Sequence, residues 1–156
     1  PEEAQHFINQ YFDRYSGVKV WNEKTLEEVR QKGWVGTLAG RRRPVRDINS
    51  ENGTLRGFAE RIAINTPIQG SSADIIKAAM IHISLSLSKR KSKCKMLVQV
   101  HDELLFEVPN DELQETISLI RTEMESAYKL KIPLVVDIKI GPNWNDMEPF
   151  KGEKLV

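Results

Sequence analysis

The chain has 156 residues, which is enough for a domain with an apolar core. Its apolar share of 40% and charged share of 29% are ordinary for a globular protein, and no run of roughly eighteen apolar residues predicts a membrane span. The net charge of +1 is not the overall charge of a typical nucleic-acid binder, and a single cysteine, Cys94, excludes an internal disulfide.

The N-terminal residues show neither the basic nor the apolar segment of a secretory signal. The sequence therefore predicts neither secretion nor a membrane partner. The start at Pro1 instead of methionine suggests a piece of a longer chain.

The first third of the chain predicts two helices. Apolar residues within 3–15 recur on one helical face, and Gly17 can end this helix in a left-handed cap. A second helix is expected over 18–31, with Gly33 beyond its end. Residues 34–45 then predict a short hairpin whose Gly40 adopts a positive φ.

The middle of the chain predicts two further helices. The pattern is helical over 52–65, and this helix should stop or kink before Pro67. Ser71 and Asp74 form a plausible capping pair for the next helix, which runs to about Ser88. Its expected apolar face consists of Ile75, Ile76, Ala79, Met80, Ile83 and Leu87.

The remainder predicts a hairpin, a helix and a strand. Apolar residues within 98–108 run up to a three-residue charged tip and then resume, which is typical of two strands joined by a tight turn. Asn110 can cap the following helix, and residues 132–133 end it. A last strand over 134–140 should join the hairpin, giving an α+β fold with an antiparallel sheet backed by helices.

Positive charge is concentrated in two clusters. The first contains Arg41, Arg42, Arg43, Arg46, Arg56 and Arg61, and the second Lys89, Arg90, Lys91, Lys93 and Lys95. The lysine-rich cluster is most simply a solvated loop. The arginine-rich cluster is a better phosphate site because guanidinium groups match phosphate oxygens bidentately.

The charged hairpin tip has two interpretations. Asp102 and Glu103 are adjacent carboxylates on a rigid hairpin, and Mg²⁺ favours a few carboxylate oxygens with water and phosphate as its other ligands. An ordinary charged turn on a protein surface has the same pattern. His101 is equally open, because a hydrogen-bonded structural histidine is the common case.

Four ordered segments resemble the family A DNA polymerases of the bacterial polymerase I type. They are Thr37–Arg42, Arg61–Lys77, Val98–Val108 and Gly141–Trp144. The resemblance covers essentially the whole chain and is specific because the segments occur in the family's order. It implies part of a polymerase palm at 61–156, carrying the catalytic hairpin, and the C-terminal remainder of the fingers at 1–60.

The resemblance also implies the site residues. Arg61, Asn65 and Gln69 match residues that hold the primer–template duplex, and donors of these types can test the minor groove without reading sequence. Asp102 matches the catalytic metal-binding aspartate and Glu103 a supporting carboxylate. His101 is expected near the primer end, in a substrate-positioning role.

The implied reaction is attack of a primer 3′-hydroxyl on the α-phosphate of a deoxynucleoside triphosphate, assisted by two Mg²⁺ ions. The family's second catalytic aspartate and its triphosphate-gripping fingers helix would lie upstream. The expected partners are therefore primer–template DNA, dNTPs and the missing upstream part of the chain, with Arg41 and Arg42 as further DNA contacts. The resemblance also implies a cytoplasmic protein of bacterial type, and a phage, plasmid or organelle origin stays open. We expect little polymerase activity from residues 1–156 alone.

Two other functions compete with this one. A non-catalytic nucleic-acid-binding module could have kept the duplex-contacting face. A small metal-dependent hydrolase could use His101, Asp102 and Glu103, although the sequence offers no second ligand cluster and no obvious nucleophile.

Overall fold

The computed structural model describes residues 2–150. Its elements in chain order are α1 (Glu2–Arg14), α2 (Ser16–Lys32), β1 (Trp34–Gly36), β2 (Arg42–Pro44), α3 (Gly53–Lys89), β3 (Lys95–Val100), β4 (Glu103–Glu107), a 3₁₀ turn (Asn110–Glu112), α4 (Leu113–Glu125), β5 (Lys139–Ile140) and β6 (Glu148–Pro149). The strands form three antiparallel pairs, β1–β2, β3–β4 and β5–β6. In the described part of the chain, no helix combines the length and apolarity needed to cross a bilayer.

The chain divides into two compact units, the first ending at Asp74 and the second beginning at Ile75. Each unit has an apolar core of its own. The first core contains Val29, Val35, Val45, Ile48, Ala59 and Ala63, and the second Ile83, Leu87, Cys94, Leu119 and Ile120. The division into fingers at 1–60 and palm at 61–156 stays a prediction, because compactness alone does not identify a subdomain.

The two N-terminal helices meet at a different residue from the one expected. Gly17 lies inside α2, so the prediction that it ends the first helix is wrong. The break is at Tyr15, with φ −115° and ψ 54°. The far end of α2 is as predicted, since Gly33 has φ 73° and its N–H donates to the Val29 carbonyl over 2.8 Å.

Helix α3 continues through Pro67, so the predicted stop at this residue is wrong. Proline cannot donate to the carbonyl four residues earlier, so neighbouring groups must stabilise this stretch. On one side Arg43 donates to Thr66 Oγ1 over 3.4 Å, and on the other the Leu38 N–H donates to Ser71 Oγ over 2.9 Å. The predicted Ser71–Asp74 cap is therefore wrong, because both residues lie within the helix and bind the β1–β2 hairpin.

The β3–β4 hairpin is present and backed by helices, as predicted. Half-buried Met96, Leu104 and Phe106 pack against the second core, which α3 and α4 supply. The register shifts between Met96 and Val98, so that Leu97 is an extra residue in β3 with no partner in β4. The predicted apolar face of α3 is also confirmed, with Ile76, Ala79, Ile83 and Leu87 buried.

The C-terminal part departs most from expectation. Asn110 does not cap a helix with its side chain, and α4 ends at Glu125, before 132–133. Residues 134–140 do not join the hairpin, since only β5 is a strand and it pairs with β6. The Val136 N–H instead donates to Glu125 Oε1 over 3.1 Å, so a carboxylate takes the place of a neighbouring strand.

Candidate functional site

The tip of the β3–β4 hairpin is a two-residue turn of His101 and Asp102. It is flanked by the ladder pair Val100–Glu103, and the side chains of residues 101–103 are exposed. The Gln99 side-chain amide donates to the His101 carbonyl over 2.9 Å and so braces the turn. The tip is thus a short turn held by a side-chain hydrogen bond, on a strand pair that packs against the second core.

His101 has a φ of 52°, in the left-handed region. A positive φ at the first of two loop residues is the sign pattern of a type II′ hairpin turn, where glycine is the usual occupant. A non-glycine residue in this region costs about 1 kcal/mol or more, and such residues cluster at functional sites. The observed backbone therefore favours a functional histidine at this turn over an incidental one.

The two carboxylates leave the tip from different backbone settings. Asp102 belongs to the turn and Glu103 is the first residue of β4. Their oxygens are the hard donors that Mg²⁺ prefers. No group of three or more His, Cys, Asp or Glu side chains is assembled for metal binding within residues 2–150, so the tip can supply part of a ligand set.

A second polar feature lies on α3 in the first unit. Because α3 is continuous, Arg61, Asn65 and Gln69 recur every four residues and share one helix face, as predicted. All three side chains are exposed, and the Arg61 guanidinium lies 5.9 Å from the centre of the Phe58 ring. This face presents amide and guanidinium donors to solvent.

The predicted DNA contacts Arg41 and Arg42 have partners within the first unit. Arg41 Nε lies 2.9 Å from Asp74 Oδ1, and Arg41 Nη2 donates to the Gly70 carbonyl over 3.1 Å. The Arg42 guanidinium stacks 4.3 Å from the centre of the Trp34 ring. DNA binding by these two residues stays a prediction, since each also has a structural role.

Sequence reasoning missed the polar network at the start of the β1–β2 loop. Thr37 donates through Oγ1 to Asp74 Oδ2 over 2.6 Å, and Arg41 occupies the other carboxylate oxygen. The sequence pattern favours a helix cap at Asp74 instead. No local signal identifies its partners, because Thr37 and Arg41 precede it by 37 and 33 residues.

The chain resembles known proteins in both sequence and structure. The family model for DNA polymerase family A matches residues 1–146, so the chain belongs to that family. Its mixture of helices and small antiparallel sheets agrees with a solved structure described as the POL domain of Pol1 from M. smegmatis in complex with DNA primer–template and dNTP. That structure aligns with a TM-score of 0.83 and 44% identity over 85% of this chain and 24% of the other.

Curated relatives carry the name DNA polymerase I. The protein of Lactococcus lactis subsp. cremoris is 48% identical over 143 residues, and that of Bacillus subtilis is 47% identical over 145 residues. These matches cover 92% and 93% of this chain but 16% of each relative. The chain thus spans about a sixth of the length of these relatives.

Proposed function

We propose that this chain forms the primer-side half of the active site of a DNA-directed DNA polymerase. The observation that carries the proposal is the hairpin tip of a chain in this family. There Asp102 and Glu103 follow His101, which has a left-handed backbone angle and whose carbonyl accepts a hydrogen bond from Gln99. The reaction is template-directed transfer of a nucleotide from a dNTP to a primer 3′-hydroxyl. Primer–template DNA and dNTPs are accordingly the proposed partners, and a cytoplasmic location suits them.

Asp102 and Glu103 would hold Mg²⁺, with Asp102 as the principal ligand. When bound, two such ions lower the pKa of the attacking hydroxyl and stabilise the charge on the leaving pyrophosphate. Two ions would need more ligands than these two carboxylates, because no group of three or more His, Cys, Asp or Glu side chains is assembled within residues 2–150. We therefore propose that a further carboxylate from the complete enzyme contributes, and that residues 1–156 alone extend primers poorly.

The helix face of Arg61, Asn65 and Gln69 would hold the duplex. Minor-groove acceptors are similar at A·T and T·A pairs, so donors placed there test base-pair shape and tolerate any template. His101 would position the primer end, next to the carboxylates on the same turn. The exposure of all four side chains supports these roles.

Primer extension by the complete polymerase carrying Asp102→Asn tests the catalytic role. Several kcal/mol of charge stabilisation depend on the metal, so we expect a loss in kcat on the order of a thousandfold, with primer–template affinity little changed. Asp111→Asn, another exposed aspartate on the same unit, is the matched control and should retain activity. Near-normal extension by Asp102→Asn would overturn the assignment.

A non-catalytic nucleic-acid-binding module is the second candidate, and the exposed donors on α3 favour it. It predicts that Asp102→Asn and wild type bind primer–template equally and that neither extends it. The same assay therefore separates the two functions.

A further inference from the structure

The loop between β1 and β2 is fastened to α3 by one carboxylate. Asp74 receives the Thr37 hydroxyl on Oδ2 over 2.6 Å and Arg41 Nε on Oδ1 over 2.9 Å. The Asp74 side chain is only 13% exposed, whereas that of Arg41 is 52% exposed. Both oxygens are thus engaged by the loop, in a setting that shields the Thr37 contact from water.

The loop also touches the helix at the preceding turn. Arg41 Nη2 donates to the Gly70 carbonyl over 3.1 Å, and the Leu38 N–H donates to Ser71 Oγ over 2.9 Å. A Cβ on Gly70 would lie 2.6 Å from Thr37 Cγ2, so glycine is what allows this close approach. The loop therefore makes hydrogen bonds to α3 at three residues, Gly70, Ser71 and Asp74.

These places all follow Pro67, where the helix lacks a backbone hydrogen bond and is locally weak. Gln69 lies between Pro67 and the first of these places, while Arg61 and Asn65 precede the proline. Without the loop, the two halves of the duplex-contacting face would be joined only by the weakened turn. The setting of Gln69 relative to Asn65 thus depends on the contacts that Asp74 makes.

We propose that Asp74 is a positioning residue which, with Thr37 and Arg41, holds Gln69 in line with the rest of the face that contacts the primer–template duplex. This inference rests on the proposed function, because it assumes that Gln69 donates to the minor groove. Asp74 itself touches no DNA. We assign its effect on binding to Gln69, and the double-mutant cycle below separates this route from one through Arg41, the predicted DNA contact that Asp74 also holds.

A double-mutant cycle in the complete polymerase tests the proposal. Primer–template Kd is measured for Gln69→Ala, Asp74→Asn and the double variant. We expect about a tenfold weakening for Gln69→Ala, as for the loss of one hydrogen bond, and several-fold for Asp74→Asn. The double variant should bind no more weakly than Gln69→Ala, because Asp74 acts through a side chain that is already absent.

Asn65 provides the control cycle. It lies on the other side of Pro67, so the penalties of Asn65→Ala and Asp74→Asn should multiply. A conservative pair at Thr37 guards against misfolding of the Asp74 variant. Thr37→Val removes the hydroxyl at nearly constant shape and should weaken binding, whereas Thr37→Ser keeps the hydroxyl and should restore affinity.

The outcomes distinguish the two proposals. If Gln69→Ala binds primer–template normally, the duplex-contacting role fails and the inference fails with it. Suppose that Gln69→Ala weakens binding. Then only the positioning role is overturned if Asp74→Asn leaves the Kd unchanged, or if the penalty of the double variant equals the product of the two single penalties. If Asp74→Asn does not fold, equal affinities of Thr37→Val and Thr37→Ser would overturn it.

Discussion

His101 combines an unfavourable backbone angle with an exposed ring at the proposed reaction centre. Glycine would suit a φ of 52° better, so the imidazole is kept at a cost in folding free energy. Lys91 has nearly the same angle, 53°, but lies at the end of α3. There the Lys91 and Ser92 N–H groups donate to Ser88 and Leu87, the pattern of a Schellman cap.

His101→Gly should therefore stabilise the protein and impair primer use. We expect an increase of about 1 kcal/mol in the free energy of unfolding, together with weaker positioning of the primer end. Thermal melting and the KM for primer–template measure the two effects. Lys91→Gly is the matched control, with similar stabilisation and unchanged KM. A fall in stability for both variants would show that the left-handed angles carry no cost.

Gly70 and Gly57 provide a contrast within α3. Gly70→Ala places a methyl group 2.6 Å from Thr37 Cγ2, and Thr37 cannot rotate away without losing its bond to Asp74. We expect destabilisation of about 1–3 kcal/mol. At Gly57 the nearest atom is Arg61 Nη1 at 3.9 Å, so Gly57→Ala should stabilise by about 0.5–1 kcal/mol. Urea unfolding measures both, and equal effects would contradict the argument.

At the scale of elements, the Glu112 carboxylate, at the end of the 3₁₀ turn before α4, binds the loop that precedes β3. Glu112 accepts from Ser92 Oγ and from the Lys93 N–H at 3.1 and 3.2 Å. The Ser92 hydroxyl, followed by the Lys93 N–H, lowers the pKa of Glu112 below its ordinary 4.5. These bonds hold the segment that leads into β3. Cys94, the next residue, is buried, and burial raises the pKa of its thiol.

This tie predicts a pH dependence of stability. A carboxylate with a lowered folded-state pKa stabilises the fold above its unfolded value and loses that contribution as the pH falls through the folded-state pKa. Glu112→Gln should thus lower the urea midpoint at pH 7 and lower it less at pH 3, which is below the ordinary pKa of 4.5. The same change at Glu115, in a surface ion pair with Arg90, should matter little at pH 7. Equal Glu112→Gln effects at both pH values would contradict the prediction.

For the whole molecule, the sequence predicted those helices and turns that depend on local patterns of residues. Helical periodicity located α2 and the apolar face of α3, and glycine marked the turns at Gly33 and Gly40, whose φ values are 73° and 84°. The charged interruption located the turn of the β3–β4 hairpin. Family motifs then directed attention to Asp102 and to the donors on α3.

What the sequence did not predict depends on contacts between distant segments. Pro67 is tolerated because Arg43 and Leu38 bind the helix on either side of it. The expected strand at 134–140 is largely absent because Glu125 takes the Val136 N–H. In both places hydrogen bonds between segments that are separated in sequence accompany the departure from the local preference, and local sequence patterns do not predict such bonds.

Because Leu97 is an extra residue with no partner in β4, β3 could lose one residue without moving the turn that follows it. Met96 already pairs with Phe106 and Val98 with Leu105, so removing Leu97 would leave a regular ladder with every partner retained. An alignment gap of one position here would therefore not displace Asp102. Among relatives, such a gap would indicate a change in local strand twist, with the turn of His101 and Asp102 retained.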